Sequence, residues 1–175
     1  MSHNFHNHLH RIWEHSVGLY KAGQTHSSLF PIDEELPLLS SWGIKRIDIF
    51  DFAEDWCLHQ EPDFSTFLLV HYERWRFFCE EQKGVPSSVV LDPTTLPPRE
   101  EEFCGIAWLP RILPKARAKL RGKLPPEVMF CCGGDREFFK ANNIHPAEFL
   151  AVVRSLGDRD EAIIDWVVKR KSSLA

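Results

Sequence analysis

Two segments in the C-terminal part of the chain hold the side chains best suited to binding chemistry. Arg111 and Lys115 are four residues apart, so a helix places them on one face, with Lys119 a further turn along. The second segment reads Gly133-Gly134-Asp135-Arg136. Two glycines before a helix let the backbone approach a ligand closely, and the free N–H groups of a helix start attract anions. Arginine forks suit carboxylate and phosphate groups.

These features predict a binding site for a small anion or a phosphorylated metabolite. We expect a concave site with Trp108 as its floor. The ligand-binding residues that this hypothesis assigns are Trp108, Arg111, Lys115, Gly133, Gly134, Asp135 and Arg136. No catalytic residue and no cofactor can be assigned, and whether the protein is an enzyme stays open.

A simpler interpretation of the same residues needs no ligand. Asp135 can serve only as a helix cap or pair with a nearby arginine. The basic helix can also dock on the first half of the chain, since residues 32–63 hold nine acids and two bases while residues 107–123 hold six bases and no acid. Both interpretations remain open on the sequence alone.

Histidines near the N-terminus are the candidate metal ligands. His6 and His10 are one helical turn apart, a spacing that can place two imidazoles on one metal. No glutamate pattern of the zinc proteases lies between them, and a third ligand has to come from elsewhere, with His15, His26 and Glu14 as candidates. We therefore assign no metal site, and a metal-dependent enzyme using these histidines is an alternative function.

The five cysteines contain no Cys-x-x-Cys pair, which argues against a zinc ribbon or a thioredoxin-type site. Cys132 directly precedes the two glycines and a predicted helix start, which can lower the pKa of a thiol. A nucleophilic Cys132 with His145 as its base is conceivable. A small buried thiol is the simpler interpretation.

Periodicity predicts a mainly α fold made of two related helical halves packed as one compact bundle. Residues 38–53 and 138–153 align without a gap, each with two large apolar residues, a turn residue and an apolar helix, which suggests an internal duplication. The predicted organisation is an N-terminal helical half (1–84), a proline-rich connector (85–104) and a C-terminal helical half (105–175).

Three local expectations accompany this organisation. Asp33 is predicted to cap a short helix that ends before Gly43. In the next helix, the stripe expected to face the core consists of Ile47, Phe50, Ala53, Glu54 and Cys57. Within the connector, residues 89–91 pack on the surface or form a brief strand.

Bulk properties exclude several classes of protein. A net charge of −4 disfavours nucleic-acid binding, and 43% hydrophobic residues are too many for a disordered chain. No apolar run reaches the roughly 20 residues of a membrane span. No signal peptide is visible, so we expect a cytoplasmic protein with reduced cysteines.

Parts of the second half resemble a known family. The stretches Gly105–Arg111, Lys115–Gly122 and Cys132–Phe139 look like a bacterial domain-of-unknown-function family, number five thousand and sixty-nine, and Asp158–Val167 resembles its ending. The first half resembles the helical N-terminal extension of longer members. This resemblance implies a bacterial cytoplasmic protein and no particular reaction.

The function predicted from the sequence is binding of a small anionic or phosphorylated metabolite between the halves. An alternative is a helical protein–protein interaction module, including a homodimer.

Overall fold

The computed structural model describes residues 3–173. Eight α-helices account for most of this part of the chain, which confirms the predicted mainly α fold. They are α1 (His3–Lys21), α2 (Leu36–Ser41), α3 (Arg46–His59), α4 (Phe64–Glu80), α5 (Leu109–Arg121), α6 (Gly133–Ala141), α7 (Pro146–Leu156) and α8 (Asp160–Ser172).

The chain divides into two compact units, with the boundary between Pro86 and Ser87. This boundary lies inside the predicted connector. Most of the residues that the sequence assigns to the connector, from Ser87 onward, belong to the second unit. A backbone hydrogen bond of 2.8 Å, from the Leu91 N–H to the Lys123 carbonyl, connects this segment to the rest of the second unit.

In the first unit, α1 packs against α3 and α4. One face of α1 is apolar at helical spacing, and Phe5, Leu9 and Ile12 on this face are buried. The Asp63 carboxylate caps α4 by accepting from the Thr66 N–H, so the last helix of the unit begins at a defined residue. Phe64, directly after this cap, is thereby held in place against α1.

Helices α5 and α7 pack together in the second unit, and α7 also contacts α8. Before α5, strands β1 (Glu102–Phe103) and β2 (Ile106–Ala107) form a short antiparallel hairpin. Its turn residues Cys104 and Gly105 both have positive φ, the conformation that tight two-residue hairpins require. A strand at residues 89–91 is not formed; Val89 and Val90 are exposed instead.

The two predicted repeats adopt the same turn. Gly43 and Asn143 both lie in the left-handed region, with φ of 69° and 53°. Each turn closes with a 2.9 Å backbone bond, from the Ile44 N–H to the Leu39 carbonyl and from the Ile144 N–H to the Phe139 carbonyl. The following helices begin at Arg46 and Pro146, again one hundred residues apart. This likeness is local, and the internal duplication stays a hypothesis.

Two of the local expectations are wrong. Asp33 does not cap α2, because its carboxylate pairs with Arg46 at 2.6 Å and Glu35 occupies the N-cap position. In α3, Ile47 is only half-buried. The buried face of that helix consists of Ile49, Phe50, Phe52 and Ala53.

Candidate functional site

All seven predicted ligand-binding residues belong to the second unit, on α5, on α6 and directly before α5. Trp108 precedes α5 in a left-handed backbone conformation, with φ of 70°. Cys132 precedes α6, whose first two residues are the predicted glycines. The start of α6 and the first turns of α5 therefore supply every candidate side chain.

Asp135 is the centre of a hydrogen-bonded network. Its Oδ1 accepts from the indole Nε1–H of Trp108 at 2.8 Å, and its Oδ2 accepts from the backbone N–H of Cys131 at 2.9 Å. The Lys115 ammonium donates to both oxygens, at 2.7 and 2.6 Å. The third neighbour of this ammonium is the Cys132 sulfur at 3.5 Å. Lys115 therefore has one acceptor for each of its three protons.

This ion pair is buried. The side chains of Lys115 and Asp135 are 3% and 0% exposed. Removing two charges from water is costly, and only good geometry with further hydrogen bonds compensates for it. The sequence left open whether Asp135 caps a helix or pairs with an arginine; the observed partner is a lysine, and no side chain caps α6.

The two glycines of α6 differ in what surrounds them. A Cβ atom added to Gly134 would lie 2.5 Å from the ring of Trp108, so the indole packs directly on this residue. A Cβ atom on Gly133 would meet only the Arg136 guanidinium, at 3.9 Å. Gly134 is thus required by the packing of Trp108, whereas Gly133 is exposed.

Both predicted arginines bind backbone carbonyls. Arg111 donates to the Pro97 carbonyl at 2.6 Å, and its guanidinium lies 5.8 Å from the centre of the Trp108 ring. Arg136 donates to the Cys131 carbonyl at 2.8 Å. The acceptor of Arg111 carries no net charge, so it does not cancel the charge of that guanidinium as a carboxylate would. Residue types could not indicate either carbonyl, because every residue carries one.

Other basic side chains of α5 form ion pairs with acids of the same unit. Arg117 forms an ion pair with Asp160 and also donates to the Gly157 carbonyl at 2.8 Å. Arg121 lies 3.5 Å from the Asp158 carboxylate. The sequence had offered acids of residues 32–63 as partners for this helix; for Lys115, Arg117 and Arg121, acids of the second unit take that role.

The adjacent cysteines have different environments. Cys131 is fully buried, and burial raises the pKa of its thiol well above the usual range, with the Asp135 carboxylate as a second cause. Cys132 is half-buried, and its sulfur accepts a hydrogen bond from the Lys115 ammonium. His145, the base suggested from the sequence, instead caps α7 by accepting from the Ala147 N–H.

Within residues 3–173 no group of three or more histidine, cysteine or acidic side chains is arranged to hold a metal ion. His15 lies 2.8 Å from the Glu35 carboxylate, and His10 lies 3.5 Å from that of Glu14. In this part of the chain, no helix is both long and apolar enough to cross a bilayer.

A buried polar cluster in the first unit was not predicted from the sequence. Arg74 donates to Gln82 at 2.7 Å, lies over the Phe78 ring, and has a pKa lowered by burial to about 10. A Cβ atom on Gly43 would lie 2.7 Å from this guanidinium, so Arg74 braces the turn after α2. Arg74 and Phe78 are four residues apart on α4, and this spacing was the sequence feature that could have indicated their contact.

Large apolar side chains are exposed in both units. They are Leu29, Leu58, Leu69, Val85, Val89, Val90 and Phe103. They are distributed over both units, and the interaction module and the homodimer stay predictions.

The fold and the buried network define an α-helical protein whose second unit encloses a lysine–aspartate pair beneath a helix start. Residues 96–174 match the family described as "Domain of unknown function (DUF5069)", which confirms the predicted resemblance over this segment. The match does not extend to the first unit. Neither a search of curated proteins nor one of solved structures found a match.

Proposed function

We propose that the second unit binds a small anion, a phosphate or carboxylate group, at the start of α6. The observation that carries this proposal is the uncapped start of this helix. The Cys132 sulfur accepts from Lys115 and the Asp135 carboxylate is engaged elsewhere, so neither satisfies the first amides of α6. The N–H groups of Gly133 and Gly134 are then the donors for the ligand.

Charge favours an anion at this position. The Asp135 carboxylate is neutralised by Lys115, so it contributes little repulsion toward a second anion nearby. Arg111 donates to a carbonyl oxygen, which leaves its charge in place, and the Arg136 guanidinium lies beside Gly133. Together with the partial positive charge of a helix N-terminus, these groups favour phosphate or carboxylate over a cation or a neutral ligand.

The seven predicted residues then have two different roles. Arg111, Arg136 and the glycine amides contact the anion. The buried ion pair of Lys115 and Asp135 holds the start of α6 in place, together with the Trp108 indole that donates to Asp135. The proposed site lies within the second unit.

Isothermal titration of the full-length protein with inorganic phosphate tests this function. Arg111→Gln removes one charged donor, so we expect the affinity to fall about tenfold or more. Arg121→Gln is the matched control, because it removes the same charge from the same helix at a residue that pairs with Asp158. Circular dichroism of both variants checks that the helices remain.

The two variants separate a specific site from general attraction to positive charge. Equal weakening by Arg111→Gln and Arg121→Gln would contradict the proposed site. So would an absence of saturable phosphate binding to the wild-type protein.

A further inference from the structure

We propose that His6 and His10 on α1 bind a divalent late transition-metal ion of the Zn²⁺ type. This site is separate from the anion site, since it lies in the first unit and uses imidazole nitrogens. Imidazole is a preferred ligand of Zn²⁺, Cu²⁺ and Ni²⁺, whereas Mg²⁺ and Ca²⁺ prefer oxygen.

The two imidazoles lie side by side on the solvent-facing side of α1. His6 and His10 are one helical turn apart, and both are exposed. Their rings are nearly parallel, with an angle of 10° and centroids 6.3 Å apart. An ion in solvent can therefore reach both rings.

Phe64 of α4 holds both rings in this arrangement. Its ring meets His6 edge-on at 5.8 Å and His10 edge-on at 4.8 Å. Phe64 is itself fixed as the first residue of α4 by the Asp63 cap. Rings that are already ordered lose less conformational entropy when they bind an ion, so this contact favours chelation.

The neighbours of the two Nδ1 atoms indicate which nitrogen would bind the metal. His6 Nδ1 lies 3.3 Å from the Asn7 side-chain oxygen, and His10 Nδ1 lies 3.5 Å from the Glu14 carboxylate. An oxygen neighbour favours a proton on Nδ1, which leaves the lone pair on Nε2 for the metal. In metal sites, a carboxylate near the second ring nitrogen commonly fixes the tautomer and the orientation of the imidazole.

Two protein ligands leave positions on the ion for water. Within the described residues no third histidine, cysteine or acid joins them in a metal-binding group. Structural zinc sites have four protein ligands, whereas sites with open positions hold exchangeable water. The expected site is therefore open and exchangeable, with the Glu14 carboxylate offsetting part of the charge of the ion.

Titration of metal-free, full-length protein lacking any polyhistidine tag with Zn²⁺ tests this site by calorimetry. We expect one ion per chain, and at least tenfold weaker binding for His6→Asn and for His10→Asn. Glu14→Gln should weaken binding about tenfold, because it removes the partner of a ligand rather than a ligand. His8→Asn is the matched control: His8 lies on the same helix but is directed toward Trp42, with ring centroids 6.2 Å apart.

The control decides between this pair and diffuse binding to many histidines. Unchanged affinity in His6→Asn or His10→Asn would overturn the proposal, as would a loss in His8→Asn equal to theirs. All substituted residues except half-buried His8 are exposed on α1, and circular dichroism verifies that each variant keeps its helices.

Discussion

Asp135 occupies the third position of α6, where an acidic side chain usually reaches back to the free amides of its own helix. Here the Asp135 carboxylate accepts from the N–H of Cys131, the residue before the N-cap. It also accepts from Lys115 and from the Trp108 indole. A residue suited to capping has thus become the centre of a buried network. As a consequence, the start of α6 is left without a capping side chain.

Asp135→Asn should be strongly destabilising. The substitution leaves the Lys115 ammonium buried without a counter-charge, and breaking a buried pair in this way costs about 3–5 kcal/mol. Urea unfolding followed by circular dichroism measures this loss. Adding Lys115→Met should restore part of the stability, because the double variant no longer buries a charge while the new amide oxygen still accepts from the Trp108 indole.

Asp160→Asn is the matched control for that measurement. It removes one partner of the Arg117 ion pair, but the Asp160 side chain is 53% exposed. Exposed pairs contribute about 0–1 kcal/mol. A loss of similar size in both variants would mean that the Lys115–Asp135 pair is not buried as described.

Gly133 and Gly134 offer a second test at the residue scale. Gly134→Ala would place a methyl group 2.5 Å from the Trp108 ring, so we expect a loss of about 1–3 kcal/mol as the indole is displaced. Gly133→Ala should stay within about 0.5 kcal/mol of wild type, because its nearest neighbour would be 3.9 Å away. Thermal or urea unfolding of the pair gives both values, and equal stability of the two variants would contradict the described packing.

At the scale of elements, the turn between α2 and α3 is tightly constrained. Gly43 has positive φ, and its Cα faces Arg74 and Phe78 closely. Asn143, its counterpart, adopts the same conformation, which asparagine tolerates better than most residues. The same turn is therefore reached with two different residue types.

Gly43→Ala should cost about 3 kcal/mol, from the left-handed conformation and from overpacking against Arg74 and Phe78. Gly23→Ala isolates the first cause, because Gly23 has φ of +93° with nothing within 4 Å of its added Cβ. We expect that control to lose about 1–2 kcal/mol. Urea unfolding compares the two, and an equal loss would mean that crowding at Gly43 contributes nothing.

Helices were the most predictable part of the fold. The apolar spacing indicated a mainly α chain, and the aligned segments 38–53 and 138–153 each contain the predicted turn and following helix. The partners of polar side chains were less predictable. Asp33 and Asp135 both follow the composition rule for caps, yet each pairs with a base distant in sequence, Arg46 and Lys115. Such pairs depend on tertiary packing, which local patterns do not contain.

The same limit applies to the candidate site. The sequence assigned Trp108, Lys115 and Asp135 to one ligand site but did not predict the hydrogen bonds that they make with one another. It did not indicate that Gly134 accommodates an indole, nor that Pro97 and Cys131 supply carbonyl acceptors for the arginines. Backbone groups and close packing leave little trace in residue type.

At the scale of the whole molecule, the chain has two compact units with separate sets of helices. The buried ion pair and the proposed anion site lie entirely in the second. A fragment beginning at Ser87 should therefore fold alone, with a helical circular dichroism spectrum and cooperative urea unfolding. A fragment without helical signal would contradict the independence of this unit; domains of this size are marginal, so its stability should be below that of the full chain.

Binding of an anion at the start of α6 is tested most directly at the amides of that helix. In ¹⁵N-labelled protein titrated with inorganic phosphate at constant ionic strength, the Gly133 and Gly134 N–H signals should shift saturably, and Arg111→Gln should weaken this response. Saturable shifts elsewhere with both glycine signals unmoved, or no saturable shift at all, would contradict the account.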